Sequence, residues 1–414
     1  MTNISRFVCG SMLAGVIAVA AACNMDVTNP SVIDAGTFDP TSDGTTLALS
    51  AQTNFFQAFQ SVALFGGLIS DELWNGAVRF QPNRIASRNF AAADDINRDF
   101  FAPLSLSIAA NENAVTALNK GAGASSDVNL ARVSMNLGFS VELMAETMCS
   151  GVIQGGPELS DTQLLDTAVT NFTRAVAVGT AAGDAGTDIV NASNVGLART
   201  YLELGDWTNA SQTAALVPSG FVANVITSDN TSTRDQLANQ FYNFTLIKQI
   251  LAPQRYRVGD PRIPVDSTSQ PGTTENGLNN AAQAKYTSYA DPIRLASGLE
   301  ARYIVAEAAL HGSGDTGPAL ALIAERRAAG GQSAYAGGTD TASVLAELLN
   351  QAARDFWLEG KKLGDLRRNP TVSLTAVLTD PNGAPFYSAS GGDTFGTNFC
   401  APIPPEETNS NPNF

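Results

Sequence analysis

The segment that most constrains this chain is "NVGLARTYLELGDWTNASQTAALV", residues 194–217. Leu197, Ala198 and Tyr201 recur at helical spacing, Gly205 breaks the run, and Ala210, Ala214 and Val217 resume it. A helical apolar period that stops at a glycine and then returns predicts two helices folded back on each other. The small residues let the two backbones approach, and the tyrosine fills the space they leave. Such a hairpin cannot bury its apolar faces alone and must stack on neighbours of the same kind.

Those neighbours are present. In "AVTNFTRAVAVG", Ala168, Phe172 and Ala175 share one helical face. In "ARYIVAEAALHGSGDTGPALALIAERRAAGG", Ala306 and Ala309 precede a turn, and Ala319, Leu322 and Ile323 follow it. The spacing resembles that of tetratricopeptide repeats. Further helical patterns cover 46–64, 99–119 and 127–150. A last helix carries Leu345, Leu348, Leu349, Ala352 and Phe356 on one stripe and is expected to end at Gly360, with 370–414 a loop-rich tail. Strand-like alternation is scarce. The expected fold is mainly α, a scaffold of tetratricopeptide-like helical hairpins with a loop-rich second half. Its expected parts are a helical region at 46–218, a loop-rich region at 219–293 and a C-terminal helical region at 294–414. Structureless connections beyond ~12–15 residues are uncommon unless functional, which makes 219–293 the expected ligand side.

The first apolar run, Leu13 to Ala22, is about ten residues long, half of the ~20 a membrane-spanning helix needs. Arg6 before it and the trio Ala20, Ala21 and Ala22 after it give the layout of a cleaved secretory signal over residues 1–22. Cys23 follows directly, as in a bacterial lipobox, where that thiol is acylated and becomes the mature N-terminus. Ala20 stands where a lipobox usually has Leu, so cleavage by a general signal peptidase remains the alternative. Residues 23–45 then read as a Pro- and Gly-punctuated tether.

Export changes the cysteine arithmetic. Of the four cysteines, Cys9 leaves with the signal and Cys23 is the lipidation site. Cys149 and Cys400 remain, either joined in a disulfide or as two separate buried thiols. The formal charge of −15 and pI near 4.5 argue against a nucleic-acid partner, because such a surface repels phosphates.

The chemistry is defined largely by what is missing. His311 is the single histidine, so no multi-histidine metal site can form, and no cofactor is expected. There is no G-x-S-x-G, H-E-x-x-H or Walker loop. Gly312 to Gly317 fits G-x-G-x-x-G, but a helix precedes it where a dinucleotide site requires a strand, so it reads as a hairpin turn. Asp71 and Glu72 in "GGLISDELWNGAV" are the obvious pair for a glycosidase, or equally a solvated, ligand-facing loop. Trp74 beside them is either a stacking platform for a ligand or a core residue. Tyr256, Tyr286 and Tyr289 in the loop-rich region are further ligand candidates, whereas Trp207 and Trp357 read as packing residues.

Several segments together, "CNMDVTNPSVID", "GGLISDELWN", "PIRLASGLEARYIVAEAALHGSGD", "ARDFWLEGKKLGDLRR" and "CAPIPPEETNSNPNF", resemble the SusD/RagB family of outer-membrane nutrient-binding lipoproteins. The resemblance implies a cell-surface lipoprotein that binds an oligosaccharide or peptide, performs no chemistry on it, and passes it to a SusC-like TonB-dependent transporter. Glu300, Glu307, Arg354, Glu359, Asp365, Arg367 and Arg368 are read as ion pairs locking the scaffold to the C-terminal half. The competing reading is a secreted helical-repeat scaffold for another protein, with no small-molecule ligand.

Overall fold

In the computed structural model, residues 39–268, 272–275, 277–373, 383–387 and 393–414 are described. The signal segment, Cys23 and most of the tether lie outside them. The elements in chain order are α1 (Pro40–Ile69), β1 (Trp74–Asn75), α2 (Phe80–Ala86), α3 (Ala102–Leu118), α4 (Val128–Thr147), α5 (Asp161–Ala181), α6 (Thr187–Glu203) and α7 (Trp207–Ala214). Then come β2 (Val222–Val225), α8 (Arg234–Leu237), α9 (Gln240–Leu246), β3 (Ile250–Leu251), β4 (Val265–Asp266), β5 (Ala282–Gln283) and β6 (Ile293–Ser297). The chain ends with α10 (Gly298–Gly312), α11 (Gly317–Ala329), α12 (Thr341–Asp355), α13 (Lys362–Arg368), α14 (Pro370–Ser373) and α15 (Pro405–Ser410).

The architecture is mainly α. Helix starts are written locally: Ser160 and Gln163 close a capping box on α5, and Asp127, Asp206, Ser297 and Asp340 accept backbone N–H groups at the starts of α4, α7, α10 and α12. Helices α3 to α7 pack each on the next, α10 packs on α7, and α11 and α12 continue the stack. The Phe172 ring of α5 is wedged between Gly138 of α4 and Gly196 of α6, where a Cβ would come within 2.7 and 2.4 Å of it. It meets Phe139 edge to face at 4.8 Å. Gly312 to Gly317 forms the turn between α10 and α11. The strands form three two-stranded antiparallel pairs, β1 with β3, β2 with β6, and β4 with β5. Gly44–Phe414 forms one compact unit.

Several boundaries differ from expectation: α1 starts at Pro40, inside the expected tether, and runs past the expected end at 64 to Ile69. Helix α12 stops at Asp355 rather than Gly360, because tertiary bonds capture the chain: the Trp357 indole donates to the Glu72 carbonyl, and the Leu358 N–H donates to the Glu72 carboxylate. Leu358 and Gly360 take positive φ (60° and 71°), and the chain restarts as α13. The expected tail holds two short helices, α14 and α15. Its Cys400 is joined to Cys149 in a disulfide, beside a parallel bridge between Ala401 and Met148.

Candidate ligand-binding cleft

After α1 the chain turns at Asp71, which adopts φ 57° and is fully buried. The turn is held from below: Arg88 lies 3.9 Å from the Asp71 carboxylate, sandwiched between the Phe395 and Phe399 rings. It delivers β1 to its partner β3, with Trp74 opposite Leu251 and Asn75 opposite Ile250. Beside this ribbon lies a cleft of about 780 Å³, walled by α1, the segment 75–82, the start of α3 and the segment 236–250. A volume of this order suits a small ligand or a short piece of a polymer.

Its polar lining is mostly neutral amide: Asn54, Gln57, Gln60, Gln236, Gln240 and Gln249. Phe65 and Phe244 meet edge to face at 6.4 Å within it, among Leu64, Leu68, Pro103 and Ile250. Gln60 is 1% exposed; its Oε1 accepts the Gln240 N–H at 3.0 Å, while its Nε2 has no partner among the described residues. The Gln240 N–H fixes which way that amide faces, since the reverse would set donor against donor. Asp99 accepts two bonds from Arg98, at 2.7 and 3.1 Å. Burial raises the Asp99 carboxyl to about 6 despite that partner. Arg79 also lines the cleft, exposed and without a partner among the described residues.

The structure redistributes the residues singled out in the sequence. Asp71, Glu72, Tyr256 and Tyr286 are buried and cannot touch a ligand, which corrects the picture of a solvated acidic loop. Their partners are internal: Glu72 is bonded to Leu358, Tyr256 accepts from Lys362 at 3.0 Å, and Tyr286 donates to the Leu358 carbonyl at 3.1 Å. Burial raises the Glu72 carboxyl to about 7. Trp74 is half-buried and is not a core residue: its ring stacks on Tyr387 at 4.4 Å and is not part of the cleft lining. Tyr289 stays half-buried against Tyr242 and Arg234. The cleft draws on the expected ligand side only through 236–250, and α1 supplies much of the rest. Nothing in the sequence marked Gln60 or Arg79, because surface amides and arginines are common and only folding converges them.

The charged motif residues are structural. Arg199 of α6 bonds Glu300 of α10 and Glu142 of α4, and Lys361 reaches Glu300 at 3.2 Å. Arg368 bonds Glu307, Asp365 and Glu203, Arg367 bonds Asp161, and Glu359 receives Lys285 and Arg294. Arg354 lies 3.7 Å from Asp260. Sequence reading missed the residues that complete these pairs: Arg199, Glu142, Lys361, Glu203, Asp161, Lys285, Arg294 and Asp260. His311 stacks on Trp207 at 4.6 Å and bonds Asn369. No cluster of three or more potential metal ligands exists among the described residues.

This helical scaffold with a cleft at the end of its first helix is a SusD/RagB-like fold. Surface glycan-binding protein A from Bacteroides uniformis superposes with a TM-score of 0.68 at 12% identity, covering 90% of this chain and 98% of that one. A SusD superfamily protein from Parabacteroides distasonis matches with a TM-score of 0.67 at 13% identity, over 91% and 98% of the two chains. A SusD/RagB family protein from Bacteroides thetaiotaomicron gives 0.65 at 13%, over 89% and 94%. No protein-family model and no curated protein matches the sequence.

Proposed function

We propose that this chain is a lipoprotein of the outer-membrane surface, anchored through Cys23, that binds a nutrient oligosaccharide or peptide and hands it to a SusC-like TonB-dependent transporter. Its work is binding, with no bond made or broken in the ligand. One observation carries the proposal: a roomy cleft lined by amides and apolar side chains lies at the end of the first helix of a SusD/RagB-like scaffold. No described helix is long and apolar enough to cross a membrane, so attachment through the Cys23 acyl chain is the route proposed.

The test is to solubilise outer membranes bearing the full-length protein with a C-terminal tag and identify what co-purifies, with Cys23→Ala in parallel. A barrel of transporter size with the wild type, and release of the variant from the membrane, are the expected results. A monomer unaffected by Cys23→Ala would overturn the proposal in favour of a secreted scaffold.

A further inference from the structure

We infer that the cleft takes a short peptide with a free C-terminal carboxylate rather than a hydroxyl-rich glycan. This rests on the cleft being the ligand site and deepens that assignment. Four features of the lining lead to it. First, among the described residues neither Trp nor Tyr lines the cleft, and the two phenylalanines that do, Phe65 and Phe244, are set edge to face, so these rings offer no flat platform to a pyranose ring. Second, Leu64, Leu68, Pro82, Pro103, Leu106 and Ile250 form apolar walls that match aliphatic side chains better than a sugar's equatorial hydroxyls.

Third, the amides are suited to a peptide backbone, each carrying one carbonyl acceptor and an NH₂ donor. Gln60 is the most telling of them. Its Oε1 is committed to the Gln240 N–H and its Nε2 is buried with no partner among the described residues, so this residue of the cleft lining holds a donor that lacks an acceptor. A backbone carbonyl supplies that acceptor without bringing a hydroxyl hydrogen into an apolar surround. Leaving such a donor unmet is costly, which makes Gln60 a selecting contact.

Fourth, the cleft is cationic at its edge on a strongly acidic protein. Arg98 is neutralised by Asp95 and Asp99, but Arg79 has no counter-charge among the described residues, while the chain as a whole carries −15. An exposed guanidinium beside an amide-lined groove is the chemistry that captures a carboxylate. A free peptide C-terminus provides one carboxylate together with the carbonyls and side chains the rest of the cleft accommodates.

The probes are synthetic peptides of about four to six residues rich in Leu, Phe, Pro and Gln, made as free acids and as C-terminal amides, alongside neutral gluco- and xylo-oligosaccharides. Binding to the full chain is measured by calorimetry. Free-acid peptides are expected to bind, and the amides to bind roughly tenfold more weakly or worse. Arg79→Gln, at an exposed site, should erase the difference between acid and amide; Gln60→Leu should weaken both forms alike. Equal affinity for acid and amide overturns the carboxylate assignment. Oligosaccharide binding without peptide binding overturns the peptide assignment but leaves the nutrient-binding proposal standing. Binding of neither class, with a transporter still co-purifying, removes the cleft as the ligand site.

Discussion

The indole N–H of Trp357 donates to the main-chain oxygen of Glu72 at 3.0 Å, across 285 residues of sequence. Through this bond the segment after α12 fixes the turn that ends α1, and with it the strand that borders the cleft. Trp357 is fully buried. Trp357→Phe deletes the donor, orphans a buried carbonyl and leaves a small void, and is expected to cost about 2–4 kcal/mol. Urea denaturation checks this; an unchanged midpoint would show that the turn holds itself.

Arg368 faces Glu203, Glu307 and Asp365 from a side chain that is 6% exposed. Removing one member of a buried ionic cluster leaves its partners uncompensated, so Arg368→Met should destabilise by about 3–5 kcal/mol. Arg368→Lys should recover only part of the loss, since an ammonium cannot reproduce the guanidinium fork that grips both Glu307 oxygens at 2.8 and 2.9 Å. A loss below about 1 kcal/mol in chemical denaturation would mean that the cluster contributes little net stability.

The same interior predicts how stability depends on pH. Burial raises Glu72 and Glu142 from 4.5 to about 7, and raises Glu146 and Glu203 as well. Across that window the folded chain keeps protons the unfolded chain has released, so stability falls as pH rises. Glu307 behaves oppositely: burial is outweighed by Arg368, His311 and Asn369, which hold it at about 2, and Arg199 and Lys361 lower Glu300. Those two lose their contribution as pH falls below the ordinary carboxylate range. The expected melting temperature is therefore highest on the mildly acidic side and declines toward neutrality, and Glu142→Gln flattens that decline. A melting temperature that is level between about pH 5 and 8 would contradict this assignment.

Cys149 and Cys400 are 251 residues apart, so their disulfide closes most of the folded chain into one loop. Cross-linking a loop of that length is worth about 5.5 kcal/mol in the chain-entropy model. Cys149→Ser with Cys400→Ser should lower the denaturation midpoint accordingly, and dithiothreitol should do the same to the wild type but not to the double variant. If reductant shifts both proteins alike, the disulfide is not the cause.

The helical scaffold was legible because its signals are local. Gly205 and the Ala198, Ala210 and Ala214 spacing act within a turn or two of the chain, and so do the caps that the structure adds at Asp127, Ser160, Asp206, Ser297 and Asp340. Such short-range preferences survive whatever the rest of the molecule does. The end of α12 was misplaced because a partner nearly three hundred residues away decides it.

The ligand surface shows the same division more sharply. "SDELWN" reads as an exposed polar loop, yet Asp71 and Glu72 are buried because Arg88, Leu358 and Trp357 meet them there. Burial is a property of what packs on a residue, and the sequence around Asp71 carries no record of Phe395 or Phe399. By itself, then, the sequence determined the helical hairpins, the acidic charge and the resemblance to an exported lipoprotein, all set by neighbouring residues or by composition. Only the tertiary structure decided that Gln60, Gln240, Phe244 and Arg79 share one cleft, since they come from three stretches of chain that meet only once the helices have stacked.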